Sequence, residues 1–454
     1  MVMEKIVILG GVAAGPKAAA KIRRLNPQAQ IDVYTEDTNI SYSACGLPFY
    51  IEGNFDDYKM LLARSPEEFE QQNVHIHLLQ RAIKILPDKR QVVILNLETN
   101  EEFNVNYDKL IITIGAKPII PPIQNINLKN VFTLRTMEDG INIKEKALKS
   151  KHATIVGGGY IGIEVLEAFV KQGLRVTMVE FAPKIMSIFD DDMSDLIKEH
   201  ILKRDSHKIE IINSDAVVEL VGKNNVTEVK TKNGLEFETD LVLIATGVRP
   251  NVQIAADSGI ELGVTGAIKV DKHMQTNIKD IYAAGDCAEK THIVSKTPVW
   301  VPLGSTASKE GRCAALNACG EKDDFEGILG SAVTRYFGFT MSMTGLTEKQ
   351  ALKLGYEPVS VKVTKKDKVG YMPEAKNITI KLIADKKSRK LLGAQAIGCG
   401  DADKRVNTVG TGLLSGITVD DFFNSDITYA PPYSPSIDPL LNAAQNLIEK
   451  LNKN

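Results

Sequence analysis

The sequence predicts an α/β fold: two Rossmann-like dinucleotide-binding units followed by a third, α+β unit at the C-terminus. Three observations carry this. An apolar strand, a glycine-rich loop, a helix and a second strand occur at Lys5–Tyr34, and the same order returns at His152–Glu180. Two further apolar strands close alike, in Thr113-Ile114-Gly115-Ala116-Lys117-Pro118 and Thr246-Gly247-Val248-Arg249-Pro250, and look like crossing points between units. Beyond about residue 330 the pattern turns to alternating segments, Val359–Val363 and Ile378–Ile383, as antiparallel strands require. A chain of 454 residues has room for about three domains.

Composition narrows the function classes. The chain is 43% hydrophobic and 25% charged with a net charge of -2, so nothing in its charge favours nucleic acid or an anionic membrane surface. The cluster Lys365, Lys366 and Lys368 reads first as a solvated face, with a pocket for a phosphorylated ligand as the alternative. No signal segment or membrane-spanning run is present, which leads us to expect a reducing, cytoplasmic setting. The five cysteines are odd in number and form no CxxC pair, which argues against a disulfide framework and against a bound metal.

In chain order, Lys5–Leu9 reads as a buried parallel strand ending in Gly10-Gly11-Val12-Ala13-Ala14-Gly15, with a helix from Pro16 to Leu25 and a strand from Gln30 to Tyr34. Valine stands where the middle glycine of a phosphate-binding loop is expected. The acid closing the second strand is Glu36, with a register open by one residue because Thr35 precedes it. The later strand Ile281–Ala284, delivering Gly285-Asp286, supplies a turn and a carboxylate suited to a ribityl hydroxyl, and with the first loop it points to FAD.

The second loop is regular. Gly157, Gly159 and Gly162 fit G-x-G-x-x-G between a strand and a helix, where a pyrophosphate meets the positive helix end. Glu180 closes the next strand, about 20 residues on, where an acid takes the ribose 2′-hydroxyl. Phe181 follows and no arginine does, so NADH is expected in preference to NADPH.

Between the loops lies Ser41-Tyr42-Ser43-Ala44-Cys45-Gly46-Leu47-Pro48. Small polar residues precede the cysteine, and Gly46 and Pro48 mark a helix start, which predicts a thiol pKa below its free value of about 8.5. With no second cysteine nearby, the thiol would cycle as a mixed disulfide, a persulfide or a sulfenic acid. The other four cysteines read as structural.

These segments, with Ala245–Pro250, Tyr282–Asp286 and a tail motif, resemble the pyridine nucleotide–disulfide oxidoreductase superfamily along essentially the whole chain. The resemblance is to its single-cysteine branch of coenzyme A-disulfide reductases, NADH-dependent persulfide or polysulfide reductases, and NADH oxidases and peroxidases. It implies FAD-binding segments at 1–118 and 250–322, an NAD(P)H-binding domain at 119–249 and a dimerisation domain at 323–454. The implied protein is a homodimer whose partner helps to form each active site. It implies that Gly10, Gly11, Ala13, Ala14, Gly15, Glu36, Ser43, Gly115, Gly285 and Asp286 serve FAD. Gly157, Gly159, Tyr160, Ile161, Gly162, Glu164, Glu180 and Gly247 serve the nicotinamide dinucleotide, with Tyr160 as a gate.

The tail Tyr429-Ala430-Pro431-Pro432-Tyr433-Ser434-Pro435-Ser436-Ile437-Asp438-Pro439 resembles a coenzyme A-disulfide reductase signature. Tyr429 matches its functional tyrosine and Tyr371 a second; the alternative is tyrosines in a proline-rich turn. By similarity Lys17, Lys21 and Arg24 meet coenzyme A phosphates, or else form an exposed polar face. Ser41, Ala44 and Tyr433 complete the substrate-binding set, with coenzyme A as substrate or as an adduct on Cys45. Two departures matter. The histidine of the oxidases' and peroxidases' first loop is replaced by Ala13. The asparagine that typically precedes the cysteine in coenzyme A-disulfide reductases is replaced by Ala44, which leaves room for a persulfide. Alternatives are an NADH oxidase or peroxidase working through a Cys45 sulfenate, and an electron-transfer module for a small iron–sulfur protein.

Overall fold

The computed structural model describes residues 3–453. Its first sheet is parallel and five-stranded, in the order Ile281–Ala283, Lys109–Ile112, Lys5–Leu9, Gln30–Tyr34, Val74–His77. Ile6, Val7, Ile8 and Leu9 are fully buried, as expected of a strand covered on both faces. The helix Ala14–Leu25 lies over the sheet and crosses the helix Gly304–Ala318 so closely that a side chain at Gly311 would run into the carbonyl of Ala14. The edge strand Ile281–Ala283 pairs with Lys109–Ile112, so the sheet draws strands from both sides of the second unit.

The second sheet repeats the architecture. Ile209–Asn213, Arg175–Glu180, His152–Val156, Leu241–Ile244 and Val131–Phe132 run parallel in that order. The two proline-closed segments meet each other: Ala116–Pro118 pairs antiparallel with Val248–Pro250. This two-stranded ribbon carries the chain into and out of the second unit.

The C-terminal sheet is wholly antiparallel, in the order Ala332–Tyr336, Phe339–Gly345, Leu391–Gly398, Asn377–Asp385, Pro358–Lys366. Period-2 alternation sorts its side chains. Ile378, Ile380 and Leu382 join the core beneath the helices Ala402–Ser415 and Pro439–Lys453. Lys381 points to the opposite face and meets the second unit, with Nζ 3.2 Å from Asp190, 2.9 Å from Asp192 and 3.0 Å from Glu348. The expected pair of Rossmann-like units and the antiparallel third unit are therefore present. Among the described residues no helix is long and apolar enough to cross a membrane, and none of their His, Cys, Asp and Glu clusters could hold a metal ion.

Candidate functional site

The two glycine loops have the same construction. Gly10 and Gly157 take φ of 103° and 109°, and a side chain on either would strike a carbonyl of the neighbouring strand, that of Thr113 or Ala245. Gly15 and Gly162 each pack on the carbonyl of their own loop's first glycine. Gly159 differs, since a Cβ there would meet nothing within 4 Å. The protein itself therefore demands the first and third glycines, whereas Gly159 faces open space. In the first loop the middle place is taken by Val12, half-buried and packed against a neighbouring apolar cluster. Neither following helix has a side-chain cap, so the first-turn N–H groups of both remain available to a pyrophosphate. The residues present fit two dinucleotides.

The strand registers answer the question left open at Glu36. Leu9 pairs with Tyr34 as Val156 pairs with Val179, so Thr35 is the counterpart of Glu180. Glu36 stands one residue further out, exposed, with its carboxylate accepting from Arg81 Nε at 2.6 Å. Glu180 is held over its loop: Oε2 accepts from Gly158 N at 2.6 Å and Oε1 from Ala182 N at 2.7 Å.

Cys45 occupies a single 3-10 turn, Ala44–Gly46, that leads into the short helix Leu47–Glu52. Its side chain is exposed, as is Ser43, while Ser41 and Ala44 are half-buried. Ser41 takes a left-handed φ of 54°. The expected lowering of the thiol pKa is not found. Although the residue reaches solvent, the protein packed around the sulfur pushes its pKa up, the carboxylates of Glu164 and Asp286 add to the rise, and Arg135 opposes them. A six-residue helix offers little field against two carboxylates. A longer helix does approach the sulfur: a Cβ built on Gly304 would lie 4.0 Å from Sγ. Gly304 begins the 15-residue helix Gly304–Ala318, whose N-terminus has no side-chain cap. Of the other cysteines, Cys287 and Cys313 are buried, and burial pushes each thiol up to about 12; Cys399, by contrast, is exposed.

Several residues around this thiol carry no sequence motif. Arg135 Nη2 lies 3.3 Å from Asp286 Oδ2 and closes over Gly115. Gly285 N donates to Glu310 at 2.6 Å, and Lys290 Nζ, 3.4 Å from the same carboxylate, donates to the carbonyls of Gly285 and Ala288 at 2.9 Å. This wholly buried pair fixes the Gly285–Asp286 turn, and burial lifts Glu310 to about 7 against the pull of Lys290. Tyr160 and Glu164 lie one turn apart on the helix Tyr160–Lys171, preceding and flanking Ile161 and Gly162. The Tyr160 hydroxyl is enclosed without a partner. Glu164 accepts from Thr334 Oγ1 at 2.9 Å, and burial raises its pKa to about 7 despite that bond. Gly247, on the crossing ribbon's approach, is exposed.

Lys17 and Arg24 are exposed and Lys21 half-buried along one face of the first helix. Tyr371, Tyr429 and Tyr433 are 72%, 52% and 73% exposed on the C-terminal unit.

Comparison with known proteins agrees with this construction. The profile of the pyridine nucleotide-disulphide oxidoreductase family matches residues 4–311, and that of its dimerisation domain matches residues 331–440. An NAD(P)H coenzyme A polysulfide/persulfide reductase of Pyrococcus horikoshii is 36% identical, with 98% of each chain covered. An NADH oxidase of Methanocaldococcus jannaschii is 32% identical over 98% of this chain and 99% of its own. The crystal structure of reduced CoADR-RHD from Bacillus anthracis superposes with a TM-score of 0.95 at 36% identity, covering 100% of this chain and 81% of that one. By the two glycine loops, the lone thiol between them and these matches, the chain belongs to the pyridine nucleotide-disulphide oxidoreductase family, whose members use FAD and NAD(P)H.

Proposed function

We propose that this chain is a homodimeric, FAD-dependent NADH oxidoreductase that reduces coenzyme A disulfide or a related persulfide through an adduct on Cys45. The observation that carries the reading is one exposed thiol, with no second cysteine beside it, facing Asp286 of the first nucleotide site and Glu164 of the second. FAD, when bound, accepts a hydride from NADH and returns two electrons to sulfur. In the balanced reaction NADH, a proton and a disulfide give NAD+ and two thiols.

The protein's contribution is binding, orientation and proton supply. The uncapped helices at Ala14 and Tyr160 hold the pyrophosphates. Glu180, fixed by two backbone N–H groups, accepts from a ribose diol and repels a 2′-phosphate, so NADH is preferred over NADPH. Cys45 attacks the disulfide, beside the N-terminal turn of the helix Gly304–Ala318, which favours negative charge on sulfur. Lys17, Lys21 and Arg24 take the phosphates of coenzyme A. Tyr371 of the partner subunit and Tyr429 of the partner subunit donate to the leaving sulfur, and Tyr433 of the partner subunit packs against the thiol carrier. The exposure of all three tyrosines in one chain supports this arrangement. We assign FAD-binding segments to residues 1–118 and 250–322, the NADH-binding unit to 119–249 and the dimerisation unit to 323–454, and place the enzyme in the cytoplasm.

The test is anaerobic oxidation of NADH, with NADPH in parallel, by the FAD-loaded protein with coenzyme A disulfide as sole acceptor. Two thiols per NADH are expected. Cys45→Ser protein is expected to reduce its flavin with NADH but to release no thiol. Thiol release by that variant overturns the assignment of Cys45. Absent disulfide turnover with rapid oxygen consumption assigns the enzyme to oxidase chemistry instead, the reading favoured by the NADH oxidase among its relatives.

A further inference from the structure

The two tyrosine-bearing segments of the C-terminal unit are joined by one guanidinium. Arg405, on the helix Ala402–Ser415, is 7% exposed. Its Nε lies 3.0 and 3.2 Å from the two carboxylate oxygens of Asp438, and its Nη2 donates to Asp438 Oδ2 at 2.9 Å. The same Nη2 donates at 2.9 Å to the carbonyl of Asp367.

Each partner is itself the anchor of a loop. Asp438 ends the segment that carries Tyr429 and Tyr433, accepts from Ser434 Oγ at 2.8 Å, and accepts from Leu440 N at 2.8 Å at the start of the last helix. Asp367 begins the hairpin loop that carries Tyr371 and closes it by accepting from Lys376 N at 2.7 Å. Asp367, Ser434 and Asp438 are 2%, 4% and 7% exposed. A buried ion pair, held by several hydrogen bonds on each side, thus sits beneath a surface whose tyrosines are open. Such a pair adds little net stability over an apolar replacement, but it fixes geometry.

We propose that Arg405 is a positioning residue that locks the Tyr371 loop and the Tyr429–Tyr433 segment into one rigid face, so that both phenols reach the same sulfur adduct. This rests on the function proposed above. The step it serves is cleavage of the Cys45–sulfur bond: two electrons from the flavin and one proton convert the mixed disulfide into the Cys45 thiolate and a free thiol. Arg405 neither touches sulfur nor exchanges a proton; it sets where the proton-bearing hydroxyls stand.

Stopped-flow spectroscopy of the FAD-loaded dimer separates flavin reduction by NADH from flavin reoxidation by coenzyme A disulfide. Arg405→Lys keeps the charge but loses the two-pronged contact. We expect reoxidation to slow by roughly tenfold or more, as small misplacements of reacting groups do, with reduction by NADH unaltered. In a Tyr371→Phe/Tyr429→Phe background the same substitution should slow nothing further. An equal slowing in both backgrounds, or a parallel fall in both half-reactions, marks a merely structural role and overturns the proposal. Normal reoxidation in the double Phe variant overturns the tyrosine assignment itself. If Arg405→Lys protein does not fold, Ser434→Ala, which removes one bond to Asp438, should show a smaller slowing of the same half-reaction, and no slowing there also overturns the proposal.

Discussion

At the scale of single residues, burial and then the charge around Cys45 decide how the thiol behaves. Glu164 and Asp286 come from different units, and both disfavour a thiolate. With a pKa of about 7, Glu164 is largely neutral below neutrality and ionised above it, so its repulsion of the thiolate grows as pH rises through 7. Glu164→Gln removes that charge at every pH. The midpoint for alkylation of Cys45 by iodoacetamide should move to lower pH in this variant, and an unmoved midpoint would show that Glu164 does not face the sulfur. The cysteine and its flanking Ser41–Pro48 segment were legible because their signal is local. The sign of the thiol shift was not, since it is set first by the burial of the sulfur in the folded protein and then by carboxylates from distant segments. Arg135 shows the same limit: it reaches Asp286 across 151 residues and belongs to no spacing pattern.

At the scale of elements, the glycine loops separate folding from binding. Gly10→Ala places a methyl group against the Thr113 carbonyl at a positive φ and should lower stability by about 1–3 kcal/mol or more in thermal or urea unfolding. Gly159→Ala meets no protein atom and should leave unfolding unchanged while weakening NADH binding in a titration. Equal losses of stability would contradict the division. Both loops could be read from sequence because a strand, a turn and a helix follow one another within about 30 residues. The acid at the end of the next strand was harder. Only the pairing of Leu9 with Tyr34 shows that Thr35 occupies the place of Glu180, and no periodicity resolves a shift of one residue at a strand end. Lys290 and Glu310 stayed hidden for another reason: a buried ion pair looks, in sequence, like two ordinary charged residues.

At the scale of the molecule, apolar and polar contacts together tie the second unit to the C-terminal sheet: Tyr336, Phe339, Met341, Met343 and Ile397 share one buried cluster with Phe169, Met193, Ile197 and Ile201. Lys381 sits among Asp190, Asp192 and Glu348, and Gln395 both donates to and accepts from Asp190. Glu164 and Glu167 of the helix Tyr160–Lys171 accept from Thr334 and from Phe337 N, and Lys171 bridges Glu167 to Glu52 behind the cysteine helix. Lys381→Met leaves the buried carboxylate of Asp190 without its cation, while Asp192 keeps Lys362 and Glu348 keeps Ser360, and should cost about 3 kcal/mol. Urea unfolding followed by flavin fluorescence and by far-ultraviolet dichroism should then lose its single transition. The alternation that predicts the C-terminal strands did not reveal that their second face is covered by another unit, because Lys381 reads as solvent-facing until Asp190 is brought to it.

The split of the first sheet also has a consequence for how the chain is made. The edge strand Ile281–Ala283 and the turn Gly285–Asp286 are synthesised after every strand of the second sheet, which ends at Leu241–Ile244. On the ribosome, the unit in the middle of the chain can close first, from strands near one another in sequence. The unit containing the N-terminus must wait, with the apolar edge of Lys109–Ile112 unpaired, until a strand translated much later arrives. The order of emergence is thus the reverse of the order of completion, and, with FAD in the unit proposed for it, the flavin can be captured only once both ends of that unit have left the tunnel.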